Sequence, residues 1–324
     1  MPKDISSFAL YQGQVMKNRS YCFLCIIGFL IFAGCARGNH VVTQPVATIP
    51  VHKAQVDGVE LGYRMAGEGA PLLMIVGYAC TMDSWDPQLI AELSRNHRVI
   101  MFDNRGAGHS TIDDTELTIS RMARDAVGLL DALHIEQTDV LGWSMGSIIA
   151  QKMLLAHPHR VNKAVLLATA VDAEPVIRSL NAMATLGKEE FVNRLFPQAW
   201  MDLHPDCCSR LPRAAAVSND VITRQYEALA KWKGSATELG NIDTEVLIVA
   251  GEEDRVTPID QSLAAANHIP GAWLVRFRPA DHWVMYQAPE QIAKTVDFFL
   301  TAEQHLVPPR DGHDQSARTG NNGK

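Results

Sequence analysis

Cysteine is scarce where a folded body would use it. Of the six cysteines in the 324 residues, Cys22, Cys25 and Cys35 stand near the N-terminus, which leaves Cys80, Cys207 and Cys208. Three thiols make no disulfide framework, so the small cross-linked class is excluded. A bond between Cys80 and one of the pair stays open beside the plainer reading of buried thiols. Positive charge is scarce too: the net charge is −7, with no basic cluster beyond the N-terminal segment. A nucleic-acid partner needs a cationic face to offset phosphate, so none is expected. The twelve histidines show no H-x-x-x-H spacing with a nearby carboxylate, so no metal site is expected. Nor does a glycine-rich loop follow the first strand of the body, where a dinucleotide fold would cradle phosphate. No cofactor is expected, and nothing points to a protein partner.

Long apolar runs are also missing. The longest begins at Tyr21, after Lys17 and Arg19, and ends at Ala33 before Gly34-Cys35. That is short of the roughly 20 residues that span a bilayer. A positive start, a short apolar run and small residues before a cut describe a secretory signal peptide over 1–34, with Met16 as an alternative start. The ending "FAGC" is similar to the lipobox of bacterial lipoproteins, with Phe32 where leucine is usual. The expectation is a lipidated Cys35 holding the chain to a cell-envelope membrane; ordinary secretion or a soluble periplasmic protein is the alternative. Cys22-x-x-Cys25 has redox spacing but falls inside the signal segment, which removes that role.

What is present is ordered. Residues 35–50 are polar with two prolines and read as a tether. "HKAQV" and "VELGYRMA" flank Asp57-Gly58, the strongest short hairpin signal. Apolar runs then alternate with helical patterns: strands are expected at 71–77, 98–103, 138–143, 163–169, 245–251 and 273–279. Continuous apolar runs suit strands buried on both faces of a parallel sheet. Between 118 and 134, Ile119, Met122, Ala126, Leu129, Leu130 and Leu133 share one helical face. The expectation is an α/β fold with a doubly wound, mostly parallel sheet. From 171 to 240 the pattern is helical only, which predicts a cap between core segments 51–170 and 241–303. Residues 304–324 are polar and low in apolar content, a disordered tail by composition.

The chemistry gathers at three loops. "GWSMGS" sets Ser144 between a strand and a helix, with Gly142 and Gly146 where two backbones must pass closely; strand, sharp turn and helix is the setting of a nucleophile elbow. A structural serine in a glycine turn explains that motif alone as well. It does not explain Asp254, in "GEEDRVTP" after the next-to-last strand, or His282, in "PADHW" after the last. A serine nucleophile needs a base, and the base needs an orienting carboxylate. All three fall at carboxyl ends of strands, where sheets of this type gather their sites.

Residues 53–301 resemble the α/β-hydrolase superfamily, in its lid-bearing branch of esterases, enol-lactonases, C–C hydrolases and cofactor-free haloperoxidases. "DNRGAGHS" (103–110), "GWSMGS", "GEEDRVTP" and "DHWVMYQAPEQ" carry the resemblance. It implies Ser144 as nucleophile, His282 as general base and acid, Asp254 as orienter, and backbone N–H groups of Tyr78 and Met145 as the oxyanion hole. Asp172, an acid position in some relatives, is the alternative to Asp254. Trp143 and Trp283 are expected at a substrate pocket. Tyr78 and apolar cap residues (Met183, Leu186, Phe191, Phe196, Trp200, Trp232) join them, although many of the latter would simply pack the cap onto the sheet. His109 reads as a structural polar contact. Two departures stand out. Val76 replaces the usual histidine before Gly77, and Asp281 replaces the usual glycine before His282. A carboxylate beside the imidazole favours its charged form, so the pH–rate profile is expected to rise at higher pH than with glycine there.

The implied activity is hydrolysis of a small carboxylic ester or lactone. Non-hydrolytic chemistry on the same three residues, or a silent binding protein on the scaffold, are the alternatives.

Overall fold

The computed structural model describes residues 45–205 and 217–302. Eight strands form one sheet: β1 (His52–Val56), β2 (Val59–Ala66), β3 (Ala70–Ile75), β4 (His97–Phe102), β5 (Thr138–Trp143), β6 (Val161–Leu167), β7 (Glu245–Gly251) and β8 (Trp273–Phe277). Their order is β1-β2-β4-β3-β5-β6-β7-β8. The hairpin β1–β2 turns on Asp57 (φ 43°) and Gly58 (φ 77°), both left-handed as a two-residue hairpin requires. β2 runs antiparallel to β4, and every later pairing is parallel.

Side-chain alternation along the strands divides the core into two layers. Leu73, Ile75, Val140, Leu166 and Ile248 enter one cluster; Leu72, Met74, Leu141, Val165 and Leu247, their immediate neighbours, enter the other. A two-residue period sends successive side chains to opposite faces, so strands apolar at every position need cover on both. On the first face lie α2 (Ile119–Ala132) and α3 (Met145–Ala156), with Met122, Leu129, Ile149 and Met153 inward. On the second lie α1 (Pro87–Leu93) and α10 (Pro289–Thr301), with Leu89, Ile292, Val296 and Phe299 inward. Thr118 caps α2, its hydroxyl accepting the Arg121 N–H at 3.1 Å.

Between β6 and β7 the chain forms α4 (Ala173–Met183), α5 (Lys188–Leu195), α6 (Gln198–Leu203) and α7 (Asn219–Lys231). α8 (Ile259–His268) follows β7, and the short α9 (Val284–Gln287) precedes α10.

Three strands end two residues before their expected ends. β3 ends at Ile75 rather than residue 77, β6 at Leu167 rather than 169, and β8 at Phe277 rather than 279. Two of these exits have a local cause: after β6, Ala168 takes φ 50°, and after β8, Pro279 has no N–H for a ladder. The exits after β3 and β8 open the loops that carry Tyr78 and His282. β3 pairs β4 on one side and β5 on the other, so the connections leaving β3 and β5 part at the sheet's carboxyl edge, the switch point where such sheets place their ligands.

Candidate active site

Ser144 follows the last residue of β5 and holds φ 55°, ψ −122°, a conformation an L-residue adopts only when its surroundings impose it. The surroundings are backbone. A Cβ on Gly146 would sit 2.0 Å from the Ile75 carbonyl oxygen, and one on Gly142 would sit 2.3 Å from that of Gly146. The Ser144 N–H donates to Leu167 O at 2.9 Å, while its own carbonyl accepts the Ser147 N–H (2.9 Å) and hydroxyl (2.6 Å). The two glycines are thus required by contact, and the turn between them is pinned from both ends.

The other two loops close on this serine. His282 Nε2 lies 2.9 Å from Ser144 Oγ, and His282 Nδ1 lies 2.9 Å from Asp254 Oδ2. The second Asp254 oxygen accepts the N–H groups of Val256 and Thr257, each at 2.8 Å. Thr257 Oγ1 lies 2.9 Å from Asp254 Oδ2, 3.0 Å from Ala168 O and 3.2 Å from His282 Nδ1. All three side chains are buried, and the serine is 8% exposed. With Nδ1 facing a carboxylate, the ring proton belongs there and Nε2 is left to accept from the hydroxyl. Residues 72–295, more than half of the chain, match the model of the alpha/beta hydrolase family.

The chain belongs to that family. It is 29% identical over 260 residues to the 2-hydroxymuconate semialdehyde hydrolase of Pseudomonas sp. (strain CF600), covering 75% of this chain and 91% of that one. It is 28% identical over 261 residues to the putative carbamate hydrolase RutD of Agrobacterium fabrum, covering 76% and 98%. Among solved structures, the enol-lactonase from Burkholderia xenovorans LB400 superposes with a TM-score of 0.69 at 26% identity, covering 78% and 100%. Hydrolases thus stand among the relatives, with a different substrate class in each name.

In this hydrolase the loop after β3 runs beside the serine: a Cβ on Gly77 would meet that of Ser144 at 3.1 Å. Met145 opens α3, so its N–H is among those without an intrahelical acceptor. Tyr78 is buried, and burial lifts its phenol well above the usual tyrosine range. The loop is tied on both sides of Tyr78. Asn104 Nδ2 donates to Val76 O at 3.2 Å, and Gln225 Oε1, from α7, accepts the Ala79 N–H at 2.9 Å. Asp103 accepts the N–H groups of Met82 (2.7 Å) and His109 (2.7 Å). Burial outweighs these two bonds and raises its carboxyl to about 6. His109 itself is exposed at the side chain.

Asp281 has a partner that the sequence did not disclose. It is fully buried, and one oxygen accepts from the backbone of Arg255 (3.0 Å) and His282 (2.9 Å). The other accepts from Arg255 Nε at 2.7 Å and Nη2 at 2.5 Å. Burial, then the charge of Asp254, raises the Asp281 carboxyl, with Arg255 opposing both. The guanidinium offsets the charge that Asp281 presents beside the imidazole, a compensation that the expectation of a displaced pH–rate profile left out. Arg255 also donates to the carbonyls of Asn193 and Phe196 and so joins the acid loop, the histidine loop and the cap.

Other sequence expectations find different places. The carboxylate on His282 Nδ1 is that of Asp254, while the Asp172 N–H donates to Gln261 Oε1 at 3.0 Å. Trp143 is 2% exposed, and its indole donates to His282 O at 3.2 Å. It serves the histidine loop, so an open pocket wall does not follow from its placement. Trp283 packs edge-on to Trp143, with ring centroids 5.2 Å apart, and near Phe196 at 6.2 Å. Met183, Phe196 and Trp200 are buried in the second core layer, with Leu186 and Phe191 against it, while Trp232 packs on the first. Cys35, Cys207 and Cys208 lie outside the described residues, and Cys80 is buried. Among the described residues, no three His, Cys, Asp or Glu side chains are grouped to hold a metal ion, and no helix is long and apolar enough to cross a membrane.

Proposed function

We propose that this hydrolase cleaves a small carboxylic ester or lactone through an acyl-enzyme on Ser144. The observation that carries the reading is the continuous path Ser144 Oγ–His282 Nε2, His282 Nδ1–Asp254 Oδ2, both steps at 2.9 Å. As Oγ attacks the carbonyl carbon, its proton passes to Nε2, and Asp254 stabilises the resulting imidazolium. The carbonyl oxygen becomes an oxyanion held by the N–H groups of Met145 and Tyr78, each donor worth on the order of 3 kcal/mol in the transition state. His282 returns the proton to the departing alkoxide. Water then attacks the acyl-enzyme with the same proton path and releases the acid. From a lactone, the alkoxide and acid leave as one hydroxy acid.

The likeness to a semialdehyde hydrolase favours carbon–carbon cleavage as the second reading, with carbon rather than oxygen leaving. The test is turnover of p-nitrophenyl acyl esters of graded length by the full chain, with Ser144→Ala alongside and peptide mapping after a fluorophosphonate. Ester turnover lost in the variant and a single adduct on Ser144 are expected. An unlabelled Ser144 without turnover refutes the serine mechanism, and a labelled Ser144 with no ester cleaved favours the second reading. We also propose that Cys35 is lipidated and tethers the enzyme to a bacterial envelope. In the same peptide map, an N-terminal peptide beginning at an acylated Cys35 is expected, and an unmodified one overturns that reading.

A further inference from the structure

The stripe that α7 turns inward reads Val221, Ile222, Gln225, Ala228 and Leu229, all buried. Gln225 is the anomaly: a fully buried amide at the centre of an aliphatic row. Its Nε2 has no hydrogen-bond partner, and its Oε1 has one, the Ala79 N–H at 2.9 Å. The amide orientation follows from that bond, because reversing it would set two donors against each other. Burying an amide in apolar surroundings is unfavourable unless its bonds are replaced, and here one is.

The bond falls on a backbone that needs it. Ala79 holds φ 54°, a left-handed conformation in a residue other than glycine. The side chain of Val76 is aliphatic and offers no hydrogen bond to shape this loop. Its tethers are instead Asn104 on Val76 O, from the core, and Gln225 on Ala79 N, from the cap. Gly77 and Tyr78 lie between them, so the peptide plane carrying the Tyr78 N–H is aimed by both.

We propose that Gln225 is a positioning residue: it fixes the Tyr78 N–H toward the oxyanion and makes correct seating of α7 a condition of catalysis. This rests on the serine-hydrolase reading above. A cap displaced from the core withdraws Oε1, Ala79 loses its acceptor, and the Tyr78 donor turns away while Ser144, His282 and Asp254 keep their geometry.

Gln225→Met keeps the length and aliphatic stem and removes the acceptor; Gln225→Glu keeps an oxygen facing Ala79. The measurements are kcat and KM on the preferred ester, thermal midpoint, and amide exchange across residues 76–81. For the methionine variant, kcat is expected to fall between about 10- and 100-fold, the scale of a misplaced catalytic group. KM should stay within about threefold and the Ala79 amide should exchange faster. The glutamate variant should recover most of the lost kcat. A methionine variant with unchanged kcat, a loss the glutamate variant does not relieve, or unaltered exchange overturns the proposal. If the wild type cleaves no ester and Ser144 takes no fluorophosphonate, the hydrolase reading fails separately. Loop exchange then decides alone: faster exchange in the methionine variant supports the tether, and unchanged exchange removes it.

Discussion

Arg255 and Asp281 form a pair whose two halves are unequally buried, and that inequality is testable. Asp281 has no exposed surface, whereas the Arg255 side chain is 40% exposed. Deleting Asp281 leaves a guanidinium that can turn to water; deleting Arg255 leaves a carboxylate sealed beside Asp254. Breaking a buried pair by removing its counter-charge costs about 3–5 kcal/mol, and solvent access to Arg255 argues for the lower end. We therefore expect Arg255→Ala to lose about 3 kcal/mol at neutral pH, or about 6–12 °C in thermal midpoint for a body of this size. Asp281→Asn keeps the oxygen that accepts both backbone N–H groups and replaces only the one facing a guanidinium that can turn to water, so it should cost about 1 kcal/mol. The double variant should be more stable than Arg255→Ala alone, because the uncompensated charge is gone.

The pH dependence follows from the same carboxyl. Burial and Asp254 already raise it above the usual aspartate value, and Arg255 restrains that rise. A carboxyl raised in the folded state holds its proton more tightly there than in the unfolded chain. Its stabilising contribution is complete below the unfolded value and is lost as pH climbs through the folded one. Removing Arg255 raises the folded value further, so the deficit of Arg255→Ala against wild type should be small in acid and grow toward neutrality. Thermal unfolding of the four proteins across an acid-to-neutral pH series measures this. A deficit that is flat with pH, or a double variant no better than Arg255→Ala, would refute the reasoning.

Three further substitutions test packing and burial. Gly146→Ala would drive a methyl to 2.0 Å from the Ile75 carbonyl and should destabilise by about 3 kcal/mol or more. Gly240→Ala, whose nearest neighbour would stand at 3.9 Å, should change stability by less than about 0.5 kcal/mol, and equal effects on denaturant midpoints would contradict the packing argument. Asp103, raised from 3.8 to about 6 in the folded state, stabilises while protonated and loses that contribution as pH rises through about 6. Wild type should therefore lose about 2 kcal/mol relative to Asp103→Asn between pH 4 and 7; a difference that holds constant over that range would sink the assignment.

The residues that were legible in the sequence are those whose environment is set by near neighbours in the chain. β5 and β7 were bounded correctly because an apolar run needs no partner to declare two-sided burial. Ser144 was legible because the glycines that make its turn flank it directly, and Asp254 and His282 because each sits just past a recognisable strand. What escaped was created by juxtaposition. Arg255 and Asp281 are paired only because β7 and β8 lie side by side and their loops leave the same edge, which turns an apparently exposed-type carboxylate into a buried, compensated one. Nothing local reveals, either, that the indole N–H of Trp143, expected at a pocket, meets the His282 carbonyl. Gln225 did carry a local signal, a polar residue in an otherwise aliphatic stripe. Periodicity could mark it as anomalous but could not supply its partner, because Ala79 reaches it only after the cap has folded back over the sheet. The loop in which Val76 stands in place of the usual histidine is therefore held by contacts distant in sequence. The departure from the family pattern at residue 76 and the buried amide at residue 225 are two halves of one arrangement.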